Sequence, residues 1–94
     1  MSRRRLDAVA QRRGQQLASC LKQARYASGR SAEAVASSAG ISVETVRSIE
    51  KGRTPTPEFF TVAALATELG LSLDELYASV RRSTVPSEHR GGPR

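Results

Sequence analysis

Apolar residues recur at helical spacing along most of the chain. In the first such segment, a helix predicted over residues 15–27, they fall three or four positions apart on one face: Leu17, Cys20, Leu21 and Ala24. Ser28 and Gly29 end this helix. No segment shows a competing alternation of apolar and polar residues, which is the pattern typical of a strand, so the sequence predicts an all-α fold.

Two short helices follow, and each has a start and a stop signal. Ser31 is the predicted N-cap of the second helix, which has Glu33 in its first turn and ends at Gly40. Ser42 is the predicted N-cap of the third helix, which ends at Gly52. The predicted inner residues are Val35, Ala36 and Ala39 in the second helix, and Val46 and Ile49 in the third.

Two further helices complete a predicted set of five. Thr56 as cap, Pro57 at the first helical position and Glu58 in the first turn predict a fourth helix over residues 58–69, which Gly70 ends. Ser72 is the predicted N-cap of the fifth helix. The residues expected to face inward are Phe59 or Phe60, Ala63, Ala66 and Leu69 in the fourth helix, with Leu73, Leu76, Tyr77 and Val80 forming the apolar set of the fifth.

Composition divides the chain into a folded domain and two basic ends. Residues 1–14 have few large apolar side chains and are either a basic N-terminal arm or an extension of the first helix. Residues 15–80 form one compact five-helix domain. Residues 81–94 contain glycine and proline without a packing pattern, so we expect a disordered basic tail.

Charge indicates the class of partner. The net charge is +6, made up of +7 over residues 1–30, −4 over residues 31–80 and +3 over residues 81–94. Basic ends around an acidic middle favour a polyanionic partner, nucleic acid first and a membrane surface second, although a solubilising surface charge is the alternative. No apolar run is long enough to span a membrane, no signal peptide is apparent, and a single cysteine fits a reducing, cytoplasmic setting.

The second and third helices have the spacing of a helix-turn-helix. Two helices can cross steeply after a short turn if a small residue, Ala36, allows close approach and a glycine, Gly40, takes positive φ. Val46 then fills the angle between them, and the outer face of the third helix is free to enter a major groove. An ordinary helical hairpin in a bundle is the alternative.

The whole folded segment, residues 15–80, resembles the XRE-type, lambda-repressor-like helix-turn-helix family. The resemblance rests on three groups of residues: Leu17, Leu21 and Arg25; then Ser31, Ala36, Gly40, Ser42, Val46, Ile49, Glu50 and Gly52; then Pro57 and the stretch LATELGLSLDEL. It implies a five-helix DNA-binding domain of a bacterial or phage transcriptional regulator, usually a repressor, that binds double-stranded operators as a homodimer. It also implies that Arg25 pairs with Glu50, which suits a carboxylate at the unfavourable C-terminal end of a helix.

The resemblance also implies which positions contact DNA. The base-reading positions are Val43, Glu44 and Ser48, with Thr45 and Arg47 as neighbours. Val43 suits a thymine methyl, Glu44 cytosine N4, and Arg47 guanine or a phosphate. Glu44 has an alternative role, because an acid in the first turn stabilises a helix without any ligand. The predicted phosphate contacts are Lys22, Ser31, Ser42, Lys51, Gly52 and Arg53. Arg3, Arg4 and Arg5 form an N-terminal arm that either follows the minor groove or adds long-range attraction.

Two positions depart from the family pattern. Ala32 stands where the family usually has a glutamine that supports both a phosphate and the recognition helix. Arg30 stands where an apolar residue is usual. The first departure predicts a looser phosphate clamp, and the second removes a core contact unless the arginine stem covers the same surface.

An enzyme, a cofactor and a metal site are not expected. The only histidine, His89, lies in the predicted tail. Cys20 lies on an apolar helix face, where it is expected to be a core residue, and a redox sensor is the alternative role. The rival function is a helical protein-interaction module, such as an antitoxin or adaptor, with weak or no DNA binding, and the acidic middle supports it. A homodimer surface is expected on Leu76, Tyr77 and Val80 with residues 71–73, and core packing is the alternative role for these residues.

Overall fold

Five α-helices joined by short loops make up residues 2–84, the part of the chain that the computed structural model describes, with side chains described over residues 7–82. The helices are α1 (Ser2–Ser28), α2 (Ala32–Ala39), α3 (Val43–Glu50), α4 (Phe59–Glu68) and α5 (Leu73–Thr84). Within this range no strand is present, and the all-α prediction is confirmed. Helix α5 runs four residues past the predicted domain end, and the rest of the predicted tail lies outside the described residues.

Helix α1 is much longer than the apolar pattern predicted. It begins at Ser2, so the backbone of residues 2–14 is helical and continuous with the segment predicted from residue 15. At about 1.5 Å per residue its 27 residues span roughly 40 Å. The N-terminal arginines Arg3, Arg4 and Arg5 therefore lie on a helix, although their side chains fall outside the described part.

Serine caps start three of the helices as predicted. The Ser31 hydroxyl accepts a hydrogen bond from the Ala34 N–H at 3.0 Å, and the Ser42 hydroxyl accepts one from the Thr45 N–H at 3.1 Å. The Ser72 hydroxyl accepts from the Glu75 N–H at 3.3 Å. Each bond satisfies one of the N–H groups that the first turn of a helix leaves without a backbone partner.

The predicted cap of the fourth helix is wrong. Glu58, and not Thr56, is the N-cap residue of α4, and its side chain makes no capping bond. Its ψ of 141° is extended, so helical geometry begins only at Phe59. The inward orientation predicted for Phe59 or Phe60 is also wrong, since the two residues are 60% and 73% exposed. Val62, Leu65 and Ala66, further along the helix, supply its core contacts instead.

Residues from all five helices form one small core. Its largest fully buried side chains are Leu21, Val35, Val46 and Ile49. On α5, Leu76 and Val80 are buried. Core packing, the alternative stated for these two residues, is therefore a role of both in the monomer. A dimer surface that includes them stays a prediction. Tyr77, on the same helix, is exposed.

The turn between α2 and α3 has the predicted geometry. Gly40 has a φ of +75°, the left-handed conformation that glycine adopts without a steric penalty. The next residue, Ile41, donates its N–H to the Ala36 carbonyl at 3.0 Å, which closes the end of α2. Ala36 is buried, as close approach of the two helices requires. The helix-turn-helix geometry is thereby established.

Candidate nucleic-acid interface

Helix α3 has one face in the core and one face in solvent. Val46 and Ile49 are each 1% exposed, whereas the side chains of Glu44 and Arg47 are exposed. Val43 is half-buried and packs against the core. The outward positions of α3 are therefore Glu44 and Arg47, and Val43 lies at the boundary between the two faces.

Two other predicted base-reading residues have engaged hydroxyl groups. The Thr45 and Ser42 hydroxyls are 2.8 Å apart, so Thr45 belongs to the cap of α3. The Ser48 hydroxyl lies 2.5 Å from that of Thr54 in the loop after α3. Base reading by Thr45 or Ser48 stays a prediction, and in the free protein both hydroxyls stabilise the ends of the helix.

A bidentate salt bridge joins the C-terminal end of α3 to α1. The Arg25 Nε and Nη2 donate to the two carboxylate oxygens of Glu50 at 2.8 and 2.9 Å. The two side chains are only 12% and 9% exposed. Glu50 raises the pKa of the Arg25 guanidinium through these bonds. The structure thus contains the Arg25–Glu50 pair that the resemblance implied, and this pair fixes the end of α3 to α1.

Arg25 also reaches the loop between α1 and α2. Its Nη1 donates to the Arg30 carbonyl at 3.0 Å. Its guanidinium lies over the ring of Tyr26, 4.9 Å from the ring centre, at a distance suited to a cation–π contact. One side chain therefore holds the end of α3 and the start of the loop that leads into α2.

A second, exposed ion pair crosses between the helices of the motif. Arg47, on the outer face of α3, donates through Nη2 to Glu33 in the first turn of α2. The side chains are 46% and 62% exposed, so water and ions reach both groups. The pKa of the Glu33 carboxyl lies below its ordinary value, first because of its own backbone N–H and then because of Arg47.

Cations line the surface beside this pair. A cavity of about 220 Å³ lies between α1, α2 and the end of α3, and it is lined by Lys22, Arg25, Tyr26, Ala32, Arg47, Glu50 and Lys51. Ala32, at the position where the family usually has glutamine, is buried at its wall. Glu50 is the only carboxylate among these lining residues, and it is paired with Arg25. Lys22, Arg47 and Lys51 therefore make the lining a cationic surface suited to phosphate.

The loop after α3 offers fewer backbone donors than predicted. The N–H groups of Lys51, Gly52 and Arg53 donate to carbonyls of α3 at 2.9–3.0 Å. Gly52 has a φ of +76° and serves the turn, and its only donor is already engaged. A phosphate contact from this loop therefore depends on the exposed side chains of Lys51 and Arg53.

Arg30 compensates for the apolar residue that it replaces. Its guanidinium donates to the Glu68 carbonyl at 3.0 Å and to the Ser38 hydroxyl at 2.9 Å, and it forms an ion pair with the Glu68 carboxylate at 3.2 Å. These bonds tie the α1–α2 loop to α2 and to the end of α4. Nothing local in the sequence indicated this network, because its members are separated along the chain.

Among the described residues, no group of histidine, cysteine, aspartate and glutamate side chains could hold a metal ion. No described helix is long and apolar enough to cross a membrane. Cys20 is half-buried, with its Sγ 3.3 Å from the Ser79 hydroxyl, so it packs between α1 and α5.

Comparison with known proteins identifies a family. Residues 16–78, more than half of the chain, match the family described as a helix-turn-helix domain. The matched range contains α2, α3 and the turn between them, in agreement with the geometry above. No match was found among curated proteins.

Proposed function

Because the chain belongs to this helix-turn-helix domain family, we propose that it is a sequence-specific, double-stranded-DNA-binding transcriptional regulator that acts as a repressor. The observation that carries the proposal is the division of α3 into a buried face, with Val46 and Ile49, and an exposed face, with Glu44 and Arg47. In this proposal α3 enters the major groove, and the protein is not an enzyme and needs no cofactor.

Base readout then depends on the outward residues of α3. The Glu44 carboxylate accepts from cytosine N4, and the Arg47 guanidinium donates to guanine or to a nearby phosphate. The half-buried Val43 contacts a thymine methyl with the part of its side chain that solvent reaches. These three roles need no change in the core.

Phosphate contacts fix the position of α3 in the groove. Lys22 and Lys51 border the cationic cavity, and among the described side chains neither is paired with a carboxylate. Ser31 at the start of α2 and Arg53 in the loop after α3 complete this set. In the proposal the four residues flank α3 and contact the two strands of the duplex.

A homodimer completes the proposal. Phe59, Phe60, Leu73 and Tyr77 are large apolar side chains that remain 38–73% exposed. Phe59, Leu73 and Tyr77, together with Leu76 and Val80, line a groove of about 540 Å³ between α1, α4 and α5, and no α3 residue is among its lining residues. A second copy covers this aromatic surface and places two recognition helices on two half-sites. Sedimentation tests this, since Tyr77→Arg is expected to shift a dimer to monomer.

Selection of bound sequences from a random duplex pool tests the function. The wild-type chain is expected to enrich one motif, and Glu44→Ala is expected to lose the preference at one base pair. Glu75→Ala serves as a matched control, because Glu75 is also an exposed acid in the first turn of a serine-capped helix. Unchanged preference in Glu44→Ala would remove Glu44 from the base-reading set.

A salt titration of duplex binding separates the proposal from its rival. A protein that neutralises several phosphates loses affinity steeply as salt rises, with a slope of about −0.9 per phosphate in a double-logarithmic plot. A helical protein-interaction module shows little duplex binding at any salt concentration. That second result would favour the antitoxin or adaptor function.

A further inference from the structure

The ion pair between Glu33 and Arg47 lies on the surface from which α3 faces DNA. We propose that Glu33 determines DNA specificity without reading a base: its carboxylate holds Arg47 in the free protein and competes with DNA oxygen atoms for that guanidinium. This inference rests on the proposed function, because it assigns a second role within the same interface.

The exposure of the pair shows that it can exchange partners. The Arg25–Glu50 bridge has two parallel bonds, and its side chains are 12% and 9% exposed, so it is fixed. The Arg47–Glu33 pair has one bond, and its side chains are 46% and 62% exposed. Solvent-exposed pairs are the weakest class of ion pair, and salt screens them. A phosphate or guanine oxygen can therefore displace the Glu33 carboxylate.

The position of Glu33 makes this exchange selective. Glu33 follows the Ser31 cap by two residues, at the end of α2 that is predicted to lie beside a phosphate. When Arg47 moves to DNA, the carboxylate stays at the interface without its cation and repels the backbone. Every duplex that takes up Arg47 meets this repulsion, because phosphates are present everywhere. Only a site that also offers Arg47 the O6 and N7 acceptors of a guanine compensates for it. Glu33 thus weakens binding to wrong sites more than to the right one.

The test measures duplex affinity for Glu33→Gln, Arg47→Gln and the double variant, on the selected site and on an unrelated duplex. Glu33→Gln is expected to bind the unrelated duplex about fivefold more tightly at roughly 50 mM salt, because one more cation is free. Its salt slope is expected to steepen by about 0.9. The preference for the selected site is expected to fall, and the gain is expected to shrink to the control level when Arg47 is also replaced.

Glu75→Gln is the matched control. Glu75 is an exposed acid in the first turn of the serine-capped α5, as Glu33 is in the first turn of α2, and the same substitution changes the net charge equally. Glu75 has no arginine partner among the described side chains. A general charge effect therefore appears in both variants, whereas competition for Arg47 appears only in Glu33→Gln.

The outcomes separate the inference from the function on which it rests. If wild type binds duplex DNA with a steep salt slope but Glu33→Gln behaves like Glu75→Gln, the inference is wrong and the function stands. If wild type shows no salt-dependent duplex binding, both are wrong. Thermal unfolding of each variant checks folding. Should Glu33→Gln fail to fold, Arg47→Gln removes the same pair from the other side, and unchanged binding to the selected site would overturn the inference.

Discussion

Gly14, in the middle of α1, lies directly against Pro55 in the loop between α3 and α4. A Cβ added at Gly14 would be 2.4 Å from the Pro55 Cα and 2.8 Å from its carbonyl oxygen, too close for any two such atoms. The residue is buried, and its backbone is helical. The glycine is therefore required by close approach of two backbone segments and not by an unusual φ.

Gly14→Ala is expected to destabilise the protein by about 2–3 kcal/mol, because the loop must move away from α1. The expected direction opposes helix propensity, which favours alanine over glycine by about 1 kcal/mol in a helix interior. Chemical denaturation measures the change. Gln11→Ala, at an exposed position one turn earlier, is the control and should leave stability nearly unchanged. An alanine variant as stable as wild type would show that the contact is loose.

Arg25→Ala is expected to lower the free energy of unfolding by about 2–4 kcal/mol, because it leaves the largely buried Glu50 carboxylate without a partner. Glu50→Gln in the same background should restore part of the loss, and a double-mutant cycle in denaturant measures this coupling. The preferred DNA sequence of the folded fraction should not change. A shift of base preference with normal stability would contradict the structural role.

The same bridge is expected to be insensitive to alkaline pH. The pKa of Arg25 is raised in the folded state from an ordinary value that is already far above neutral. A base with a raised pKa contributes stability below its unfolded value, so this contribution is fully present from pH 7 to 10. The stability difference between wild type and Arg25→Ala, measured by thermal unfolding, should therefore stay constant over that range.

The stabilising contribution of the Glu33 carboxylate, in contrast, is expected to depend on pH in the acidic range. Its pKa is lowered in the folded state by its own backbone N–H and by Arg47. An acid with a lowered pKa contributes stability above its unfolded value, about 4.3 for glutamate, and loses it as the pH falls through the folded value. The difference in Tm between wild type and Glu33→Gln should be present at pH 7 and shrink as the pH falls below the ordinary pKa of glutamate. A difference independent of pH would exclude ionisation as its cause.

Arg30→Ala is expected to reduce stability by about 1–3 kcal/mol, because it leaves the Glu68 carbonyl and carboxylate without their shared donor. Arg30→Leu, which introduces the kind of residue usual in the family, is the informative comparison. It should recover apolar contact but not the hydrogen bonds to Glu68 and Ser38. Denaturation curves of the three proteins measure the difference, and equal stability of all three would mean that the network contributes nothing.

Local signals accounted for most of the fold. A serine followed by an apolar helical repeat placed the caps at Ser31, Ser42 and Ser72, and the capped N–H groups lie within three residues of each serine. The predicted start of α4 was wrong, although Thr56, Pro57 and Glu58 form a typical N-terminal signal. The loop just before them is in contact with α1, and the sequence does not reveal this contact. Pro55 is held against α1, and helical geometry begins only after the extended Glu58.

The contacts of the candidate site also fall into a predictable group and an unpredictable group. The Arg25–Glu50 pair was predictable because a carboxylate at a helix end requires a cation, and the family resemblance indicated which one. Neither the Glu33–Arg47 pair nor the Arg30 network was predictable, because charged residues far apart in sequence carry no periodic signal. The engaged hydroxyl of Ser48 was hidden for the same reason, since its partner, Thr54, lies in an irregular loop.

The two-sided character of α3 has a consequence for how such a protein diversifies. Val46 and Ile49 anchor the helix in the core, and Glu50 fixes its end, but Glu44 and Arg47 share none of these buried contacts. Substitutions at the two outward positions are therefore expected to leave the fold intact, and under the proposed function they change the preferred DNA sequence. A library randomised at these positions alone should consist mostly of folded members, which makes α3 a natural starting point for engineered specificity.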